Sequence, residues 1–400
     1  MSASVLSGAR PLWAGVRRVD ALGTVLVAAG AAALLLLPFV VFKANRIVPG
    51  EGRALSEVLP AWGALGCEAA LALAAVAALW ISAARLRLAC ALLAVVAVSL
   101  AAAAAGDALT PPGNVVVRIA PGAAFWVLMV CLGLLATDAT TRLRPGPALR
   151  VLFLAATLAV AGLALRYGLF DHLSVMREYA VNATRFAREV QQHLKLAFGS
   201  LGAAVLVGLP LGVLCHRVPG LRPGVLGTLN VIQTIPAIAL FGILMAPLGA
   251  LAAAVPLADR LGIRGIGAAP AVVALFLYSL LPIVANTVAG LKRVSRAAVE
   301  AAHGMGMTDW QVLTGVELLL ALPVILTGIR VVLVQNIGMV TVAALIGGGG
   351  LGAFVFQGIG QTAIDLVLLG AIPIVTLAFT SALTLDALVE VMDRVKAENP

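Results

Sequence analysis

The side chains best suited to a mechanical task lie in one polar interruption of a strongly apolar chain, at about residues 295–319. Ala297–His303 has a composition that favours helix, and Gly304 and Gly306 interrupt it. Thr308 then stands three residues before Gln311, which is the spacing of a capping box at a new helix start. The pattern predicts a helix, a break and a second helix. A short helix held between two membrane spans is a means of transmitting force from a soluble partner.

A second group of polar residues lies inside apolar runs. Gln233 and Thr234 precede Pro236, and Asn286 lies in a later run. In hydrocarbon each polar group needs a partner, so these side chains face other helices or a water-filled path. Hydrogen bonding between helices is the favoured role for any one of them. A helix breaker beside two hydrogen-bonding side chains nevertheless indicates a broken helix along a pathway, and the predicted path residues are Gln233, Thr234, Pro236, Tyr278 and Asn286.

No catalytic or metal-binding constellation is predicted. The four histidines have no metal-ligand spacing, and no pair of the four cysteines has CxxC spacing. The glycines at 347–350 are not followed by the Lys-Ser/Thr of a phosphate-binding loop, so this run is predicted to be a tight external loop between spans. We expect neither a cofactor nor ATP hydrolysis by this chain alone.

Composition explains why the polar residues stand out. Hydrophobic residues make up 62% of the 400 residues, charged residues only 11%, and the mean hydropathy is +1.08. A soluble domain carries about 25% charged residues, and a disordered chain is poor in apolar ones, so both classes are excluded. The net charge of +9 comes from short Lys and Arg clusters between apolar runs, which fits positive-inside topology better than nucleic-acid binding. The chain is predicted to be an all-α integral membrane protein in a lipid bilayer.

Ten apolar runs approach the roughly 20 residues that a helix needs to cross the hydrocarbon core. The first is preceded by Arg10, Arg17 and Arg18 and is too long for the apolar region of a signal peptide, so we expect a retained span. Ten spans place both termini in the cytoplasm. The predicted spans are 21–42, 61–81, 88–105, 122–139, 149–169, 194–215, 225–249, 270–291, 321–346 and 362–391.

Residues 171–193 divide the chain into two regions. Charges are spread too densely in this segment for a span, and its apolar face is only partial, so an amphipathic linker or interfacial helix is predicted. Residues 1–170 then form an N-terminal membrane extension of about five spans. Residues 194–391 form a second region of five spans, which contains the polar segment at 295–319.

At the polar segment, the sequence resembles the permease subunits of ABC importers, whose EAA motif it matches. The resemblance implies that the segment forms the coupling helix that docks on an ATPase. It also implies the five-helix core of a type I importer permease for residues 194–391. The residues that carry the motif, and with it the implied coupling role, are Glu300, Ala301, Ala302, Gly306, Met307, Val316 and Leu318.

Further blocks resemble the glycine betaine and choline branch of that family over about residues 190–391. They are Gln233–Pro236, Ala274–Pro282, Asn286–Thr287, Gly304–Met307, Val316–Leu318, Gly328–Arg330 and Ile346–Gly352. Two features depart from the family pattern. Leu319 occupies a position where the pattern has proline, and residues 1–170 add spans that the minimal permeases lack. An enlarged membrane subunit resembles the branch linked to low-affinity betaine import.

The resemblance implies an osmoprotectant importer in the bacterial inner membrane. Its partners would be an ABC ATPase, an extracytoplasmic substrate-binding protein and a second permease chain, identical or different, but no nucleic acid. With 5% aromatic residues, the chain is a poor source of the aromatic cages that recognise quaternary ammonium groups, so selectivity is assigned mainly to the binding protein. The alternatives are an ABC permease for another small solute such as an amino acid and an ion-driven secondary transporter, although inverted repeats and embedded acids do not stand out.

Overall fold

The computed structural model describes residues 20–45, 48–114, 116–260 and 262–398, with side chains described through residue 392. The arginines that precede the first predicted span lie outside these ranges. Helices dominate. In chain order they are α1 Ala21–Leu36, α2 Leu55–Val58, α3 Ala61–Trp80, α4 Ala84–Leu109, α5 Ala123–Leu143, α6 Pro147–Arg166, α7 Ser174–Arg217, α8 Arg222–Thr234, α9 Ala237–Ala254, α10 Pro256–Arg260, α11 Ala268–Lys292, α12 Arg296–Gly304, α13 Asp309–Val312, α14 Leu318–Ala343, α15 Gly352–Gly360 and α16 Ile364–Glu398.

Nine helical segments of the described chain are long and apolar enough to cross a membrane. They are α3, α4, α5, α6, α7, α9, α11, α14 with the turns at its two ends, and α16. Together with the shorter apolar helix α1, they confirm a helical, multi-spanning membrane protein. In the second region, the five predicted spans correspond to α7, α9, α11, α14 and α16.

The first predicted span, 21–42, is wrong in its length. α1 has 16 residues, which rise about 24 Å, less than the roughly 30 Å thickness of the hydrocarbon core. Pro38 follows and cannot donate a backbone hydrogen bond, and the β-branched residues after it belong to strand β1, Val40–Lys43. An antiparallel three-stranded sheet in the order β2-β1-β3 results, in which β2 is Glu51–Arg53 and β3 is Arg118–Pro121.

The chain divides into two compact units, one of Met1–Pro145 with Ala164–Ser174 and one of Gly146–Leu163 with Val175–Pro400. The boundary that the sequence indicates at residue 170 therefore differs from the structural one, because most of α6 groups with the second unit. Arg150 accounts for this difference. Its guanidinium, near the start of α6, donates to Asp386 at 3.3 Å and to Glu390 at 2.6 Å, and both carboxylates belong to α16.

Residues 171–193, which the sequence sets apart as a linker, do not end at a boundary in the structure. From Ser174 onward they form the first half of α7, which runs unbroken to Arg217. The charges that argue against a span have partners in the fold. Arg185, for example, donates to the amide oxygen of Gln357 at 2.6 Å and lies 4.8 Å from the ring centre of Phe354.

In the second unit, α11 lies at the centre, where it packs against α8, α9 and α14, and α14 packs in turn against α16. The predicted span at 225–249 is interrupted. α8 ends at Thr234 and α9 begins at Ala237, with Ile235 in an extended conformation and Pro236 as the N-cap residue of α9. A proline restricts the preceding residue to extended backbone. The break at Ile235 therefore follows from Pro236.

In the first unit, α4 packs against α3 and α5, and α1 packs against α5 and α3. Small residues fill these interfaces, which lets the helices approach closely. The tightest approach lies at Gly23 of α1, where a Cβ atom would stand 2.2 Å from the carbonyl oxygen of Ala78 in α3. The contact between α1 and α3 therefore requires glycine at this position.

Two aspartates and two arginines tie the first unit together at one end of its helices. Arg87 is 1% exposed and its guanidinium lies 3.0 Å from Asp20 and 3.1 Å from Asp138. Arg142 contacts the same carboxylates at 2.5 Å and 2.9 Å. The backbone N–H of Gly23 and the two guanidinium groups hold the pKa of Asp20 well below its usual range. This cluster therefore joins α4 and α5 to the residue that caps α1.

We expect Asp20→Asn to lower the stability of the first unit near neutral pH, because the buried guanidinium of Arg87 loses a carboxylate. Since the pKa of folded Asp20 lies below the ordinary 3.8, the stabilisation is present above that pH and is lost as the pH falls further. The difference in Tm between wild type and variant, measured by tryptophan fluorescence in detergent, should therefore shrink as the pH falls below 3.8.

Asp171→Asn is the matched control, since it makes the same change at an exposed side chain of the same unit, one that has no hydrogen bond or ion pair within the described chain. Its Tm should follow that of the wild type at every pH. A Tm difference for Asp20→Asn that stays constant down to the lowest pH would contradict the role of the carboxylate charge.

Candidate functional site

The polar segment at 295–319 forms the predicted helix, break and helix. The first helix, α12, begins after Ser295, whose hydroxyl accepts the N–H of Ala298 at 3.2 Å. The second, α13, begins after Thr308 with the predicted capping box. The backbone N–H of Thr308 donates to the side-chain oxygen of Gln311 at 2.9 Å, and the N–H of Gln311 donates back to the Thr308 hydroxyl at 3.4 Å. Side chains thus satisfy the donors that open each helix.

α12 exposes one side of the predicted motif and buries the other. Glu300 and Ala301 are exposed, and Ala302 is 1% exposed. Within the described chain, the Glu300 carboxylate has no hydrogen bond or ion pair. The exposed carboxylate beside a small alanine forms a low surface that another protein can approach. Ala302 instead anchors α12 against its own chain.

Gly306 sits in the break between α12 and α13 with a φ of +83°. A Cβ atom placed there would have no other atom of the chain within 4 Å. The requirement for glycine therefore comes from the left-handed backbone and not from crowding within this chain. Met307, the next residue, is half-buried, and its terminal methyl group lies against Gly315.

Two large apolar side chains stand beside the break, where sequence reasoning did not assign a role. Met305 is 77% exposed and Trp310 is 70% exposed. The sequence carried a signal for them, because both are large apolar residues in a polar segment between two predicted spans. Exposed aromatic and methionine side chains are enriched where proteins bind one another.

The remaining motif residues, Val316 and Leu318, are half-buried and are not part of this exposed surface. Leu318 packs against a buried cluster of Leu291, Leu313 and Ile325. The exposed surface therefore comprises Glu300, Ala301, Met305, Gly306 and Trp310, and we call it the coupling surface.

The predicted path residues Gln233 and Tyr278 meet at the break between α8 and α9. The amide group of Gln233 donates to the backbone oxygen of Tyr278 at 2.8 Å, and the Tyr278 hydroxyl donates to the backbone oxygen of Ile235 in a short hydrogen bond. The broken backbone thus finds partners on α11. Thr234 and Pro236 remain exposed, although the Thr234 hydroxyl also donates to its own helix at Val231.

Asn286 does not join this group. It lies about 12 Å further along α11 than Tyr278, and its side-chain amide donates to the backbone oxygen of Pro282 at 2.8 Å. A Cβ atom at Gly328 would stand 2.8 Å from the Asn286 Cβ, so the side chain fills the contact between α11 and α14. Its geometry is that of a helix-packing residue.

Two family models match the chain. "Binding-protein-dependent transport system inner membrane component" matches residues 204–396, and "ABC transporter permease YehY, N-terminal domain" matches residues 20–176. The osmoprotectant import permease protein OsmW of Salmonella typhimurium is 45% identical over 197 residues, which are 49% of this chain and 86% of OsmW. The chain belongs to the family of binding-protein-dependent transport permeases. This confirms the resemblance to ABC importer permeases and sets aside the ion-driven secondary transporter.

Other similar proteins cover about half of this permease. The choline transport system permease protein OpuBD of Bacillus subtilis is 38% identical over 224 residues, 56% of this chain and 92% of OpuBD. Among solved structures, a chain of the MetNI methionine ABC transporter, in an inward-facing form, has 24% identity and a TM-score of 0.44 and covers 52% of this chain and 95% of its own.

Tyr278→Phe is expected to destabilise the permease, because it leaves the backbone oxygen of Ile235 without its partner. The bond is only partly buried, and a typical hydrogen bond contributes about 0.5–1.5 kcal/mol, so Tm in detergent should fall measurably. Tyr167→Phe makes the same change at an exposed side chain and should leave Tm unchanged. Equal Tm values for the two variants would show that the Tyr278 hydroxyl does not stabilise the break.

Proposed function

We propose that this permease imports small quaternary ammonium osmoprotectants, such as glycine betaine or choline, driven by ATP hydrolysis on a separate ABC ATPase. The substrate class rests on relatives at 45% and 38% identity whose names give osmoprotectant and choline transport. The mechanism rests on the coupling surface, which presents a carboxylate and two large apolar side chains on a segment between two membrane spans.

The ATPase would contact the permease at the coupling surface. Trp310 and Met305 would supply buried apolar area, and Glu300 would meet a basic or amide group of the ATPase. Interfaces of this kind concentrate their binding energy in a few large side chains, with tryptophan prominent among them. Basic residues at 292, 293 and 296 flank the segment, which supports a cytoplasmic location under the positive-inside rule. Both termini of the permease would then be cytoplasmic.

The other partners are those of the family to which the chain belongs. A binding protein outside the membrane would deliver the solute, and a second permease chain, identical or different, would complete the path. Within the second unit, the five-helix permease core would consist of α7, α9, α11, α14 and α16. The small aromatic content of the chain supports selection of the solute by the binding protein.

We expect Trp310→Ala to abolish ATP-dependent uptake of radiolabelled glycine betaine and choline in membrane vesicles of controlled orientation, and to reduce copurification of the ATPase. Loss of one interface hot spot costs about 2 kcal/mol or more, which is more than tenfold in affinity. Glu300→Lys should act in the same direction. Trp62→Ala, at an exposed tryptophan of the first unit, is the matched control and should leave ATPase copurification intact.

Gly306→Ala should also reduce uptake, because alanine at a φ of +83° is strained by about 1 kcal/mol or more. Gly304→Ala makes the same change at an exposed helical position without a positive φ and should transport normally. Wild-type uptake and ATPase binding in Trp310→Ala and Glu300→Lys would rule out the coupling surface. ATP-dependent transport that carries neither glycine betaine nor choline would rule out the substrate class alone.

The path of the solute would run beside the break between α8 and α9. Thr234 and Pro236 are exposed there, and Gln233 and Tyr278 hold the broken backbone beside them. In a version of the permease without its native cysteines, Thr234→Cys should react with a small polar thiol reagent at a rate that depends on nucleotide. Val375→Cys, at an exposed apolar position of α16, should stay unreactive, because lipid excludes the reagent. If Thr234→Cys stays as unreactive as Val375→Cys, Thr234 faces lipid and the proposed path is wrong.

A further inference from the structure

α7 and α14 are joined by polar side chains at three levels. At the end of α7 nearest the coupling surface, Arg217 donates to the carboxylate of Glu317 at 2.5 Å. The Glu317 side chain is only 7% exposed. A buried carboxylate needs its cation, because removal of one partner leaves an uncompensated charge. The pair therefore fixes the last residue of α7 to the residue directly before α14.

The contact lies in an unusual piece of backbone. Residues Leu313–Glu317 form a π-helix between α13 and α14. Such turns are rare and occur frequently at functional sites. Leu313 of this turn packs with Leu291 and Ile325, and Leu209 and Val213 of α7 pack against the same cluster. The ion pair is thus backed by apolar contact, and we call this region the junction.

A second connection between α7 and α14 lies in the interior of both helices, away from their ends. The side-chain amide of Asn336 in α14 donates to the hydroxyl of Ser200 in α7 and to that of Ser279 in α11, both at 3.0 Å. All three side chains are fully buried. Because a buried amide is costly to leave unpaired, this contact resists sliding of α7 along α14.

The third connection involves His193 of α7. One ring nitrogen, Nδ1, accepts the backbone N–H of Leu351 at 3.3 Å. The other, Nε2, lies 3.0 Å from the backbone oxygen of Ile337 in α14, to which it donates. The ring therefore joins α7 to α14 and to the loop after α14.

Two more side chains of α7 hold the glycine loop, residues 347–350. The carboxylate of Glu189 accepts the backbone N–H of Gly350 at 2.7 Å, and the Gln192 amide donates to the backbone oxygen of Gly348 at 3.0 Å. Glycines 347, 349 and 350 have φ values of 77°, 75° and 86°. Glycine backbone is conformationally free, and the side chains of α7 hold this loop together with its backbone hydrogen bond to α14, from the N–H of Gly348 to the oxygen of Ala343 at 2.9 Å.

We propose that Arg217 and Glu317 are positioning residues for transport, through which displacement of the coupling surface enters α7 and reaches the glycine loop about 36 Å away along that helix. α14 bonds to the loop through its backbone, where the N–H of Gly348 donates to the oxygen of Ala343 at 2.9 Å. α7 gives a second route with side-chain contacts at both ends, since it is bonded to the junction through Arg217 and to the loop through Glu189 and Gln192. This inference rests on the proposed docking of an ATPase at the coupling surface.

Charge reversal at the junction tests the role of the ion pair. In proteoliposomes that contain the complete importer, Arg217→Glu and Glu317→Arg should each lower glycine betaine uptake by about tenfold or more, because each brings two like charges together at the buried position 317. ATPase copurification should stay at the wild-type level. The double variant R217E/E317R should restore the uptake that each single reversal loses. The conservative variant Arg217→Lys keeps the cation and should retain uptake. Arg222→Glu, a nearby charge reversal outside the pair, is the matched control and should transport normally.

Labelling at the far end of α7 tests the route itself. Ile359, in α15 beyond the glycine loop, is 58% exposed, and Ile359→Cys gives a site for a thiol reagent. In a permease without its native cysteines, the labelling rate of Ile359→Cys should change with nucleotide when Arg217 is present and should stop responding to nucleotide in Arg217→Glu. A full nucleotide response in Arg217→Glu would overturn the proposal, and so would loss of uptake in both R217E/E317R and Arg217→Lys.

The two proposals fail in different ways. If Arg217→Glu loses the ATPase together with uptake, the pair belongs to the docking surface and the role in α7 is overturned. If Trp310→Ala keeps the ATPase and transports normally, the docking proposal itself fails. A junction variant that keeps the ATPase, hydrolyses ATP and does not transport supports transmission of movement through α7.

Discussion

A polar backbone group inside an apolar protein must find its partner within the protein, and this constraint governs where the helices can break. At Ile235 and Pro236 the chain leaves helical conformation, and Tyr278 and Gln233 make the hydrogen bonds between that region and α11. At the glycine loop, the partners come from Glu189, Gln192 and His193 of α7. Each of these two breaks is therefore paired with polar side chains on a neighbouring helix.

The coupling segment, residues 295–319, differs from these two breaks because its own side chains supply the hydrogen bonds at its helix starts. Its helix starts are satisfied by its own side chains at Ser295 and Thr308, so it is locally complete. Met305 and Trp310, within the same segment, remain exposed. Local hydrogen bonds give the segment a defined conformation, and its exposed apolar side chains are of the types enriched in protein interfaces. Both features fit the proposed docking of an ATPase at the coupling surface.

Local signals in the sequence were sufficient for most of the helices and for the coupling segment. A capping box, a glycine and a proline act within a few residues, so the helix, break and helix at 295–319 and the break at Pro236 could be predicted. The length of α1 could not, because β1 pairs with a strand that begins at Arg118. The continuity of α7 was equally hidden. Its charged half looked unsuited to packing, since the groups that Glu189 and His193 bind lie more than a hundred residues away.

The π-helix ends two residues before a position where the sequence departs from the family pattern. Leu319 stands where the family pattern has proline, and proline loosens a helix by removing a backbone donor. Here Pro323 removes that donor one turn later, inside α14. The π-helix adds one residue to the turn before α14, which rotates the side chains of α14 by about 100° about the helix axis. That rotation sets the direction in which Glu317 leaves the helix relative to the exposed Trp310. The same irregular turn thus lies between the exposed Trp310 and the buried Glu317, and under the proposal it is where a displacement of the coupling surface would reach the ion pair.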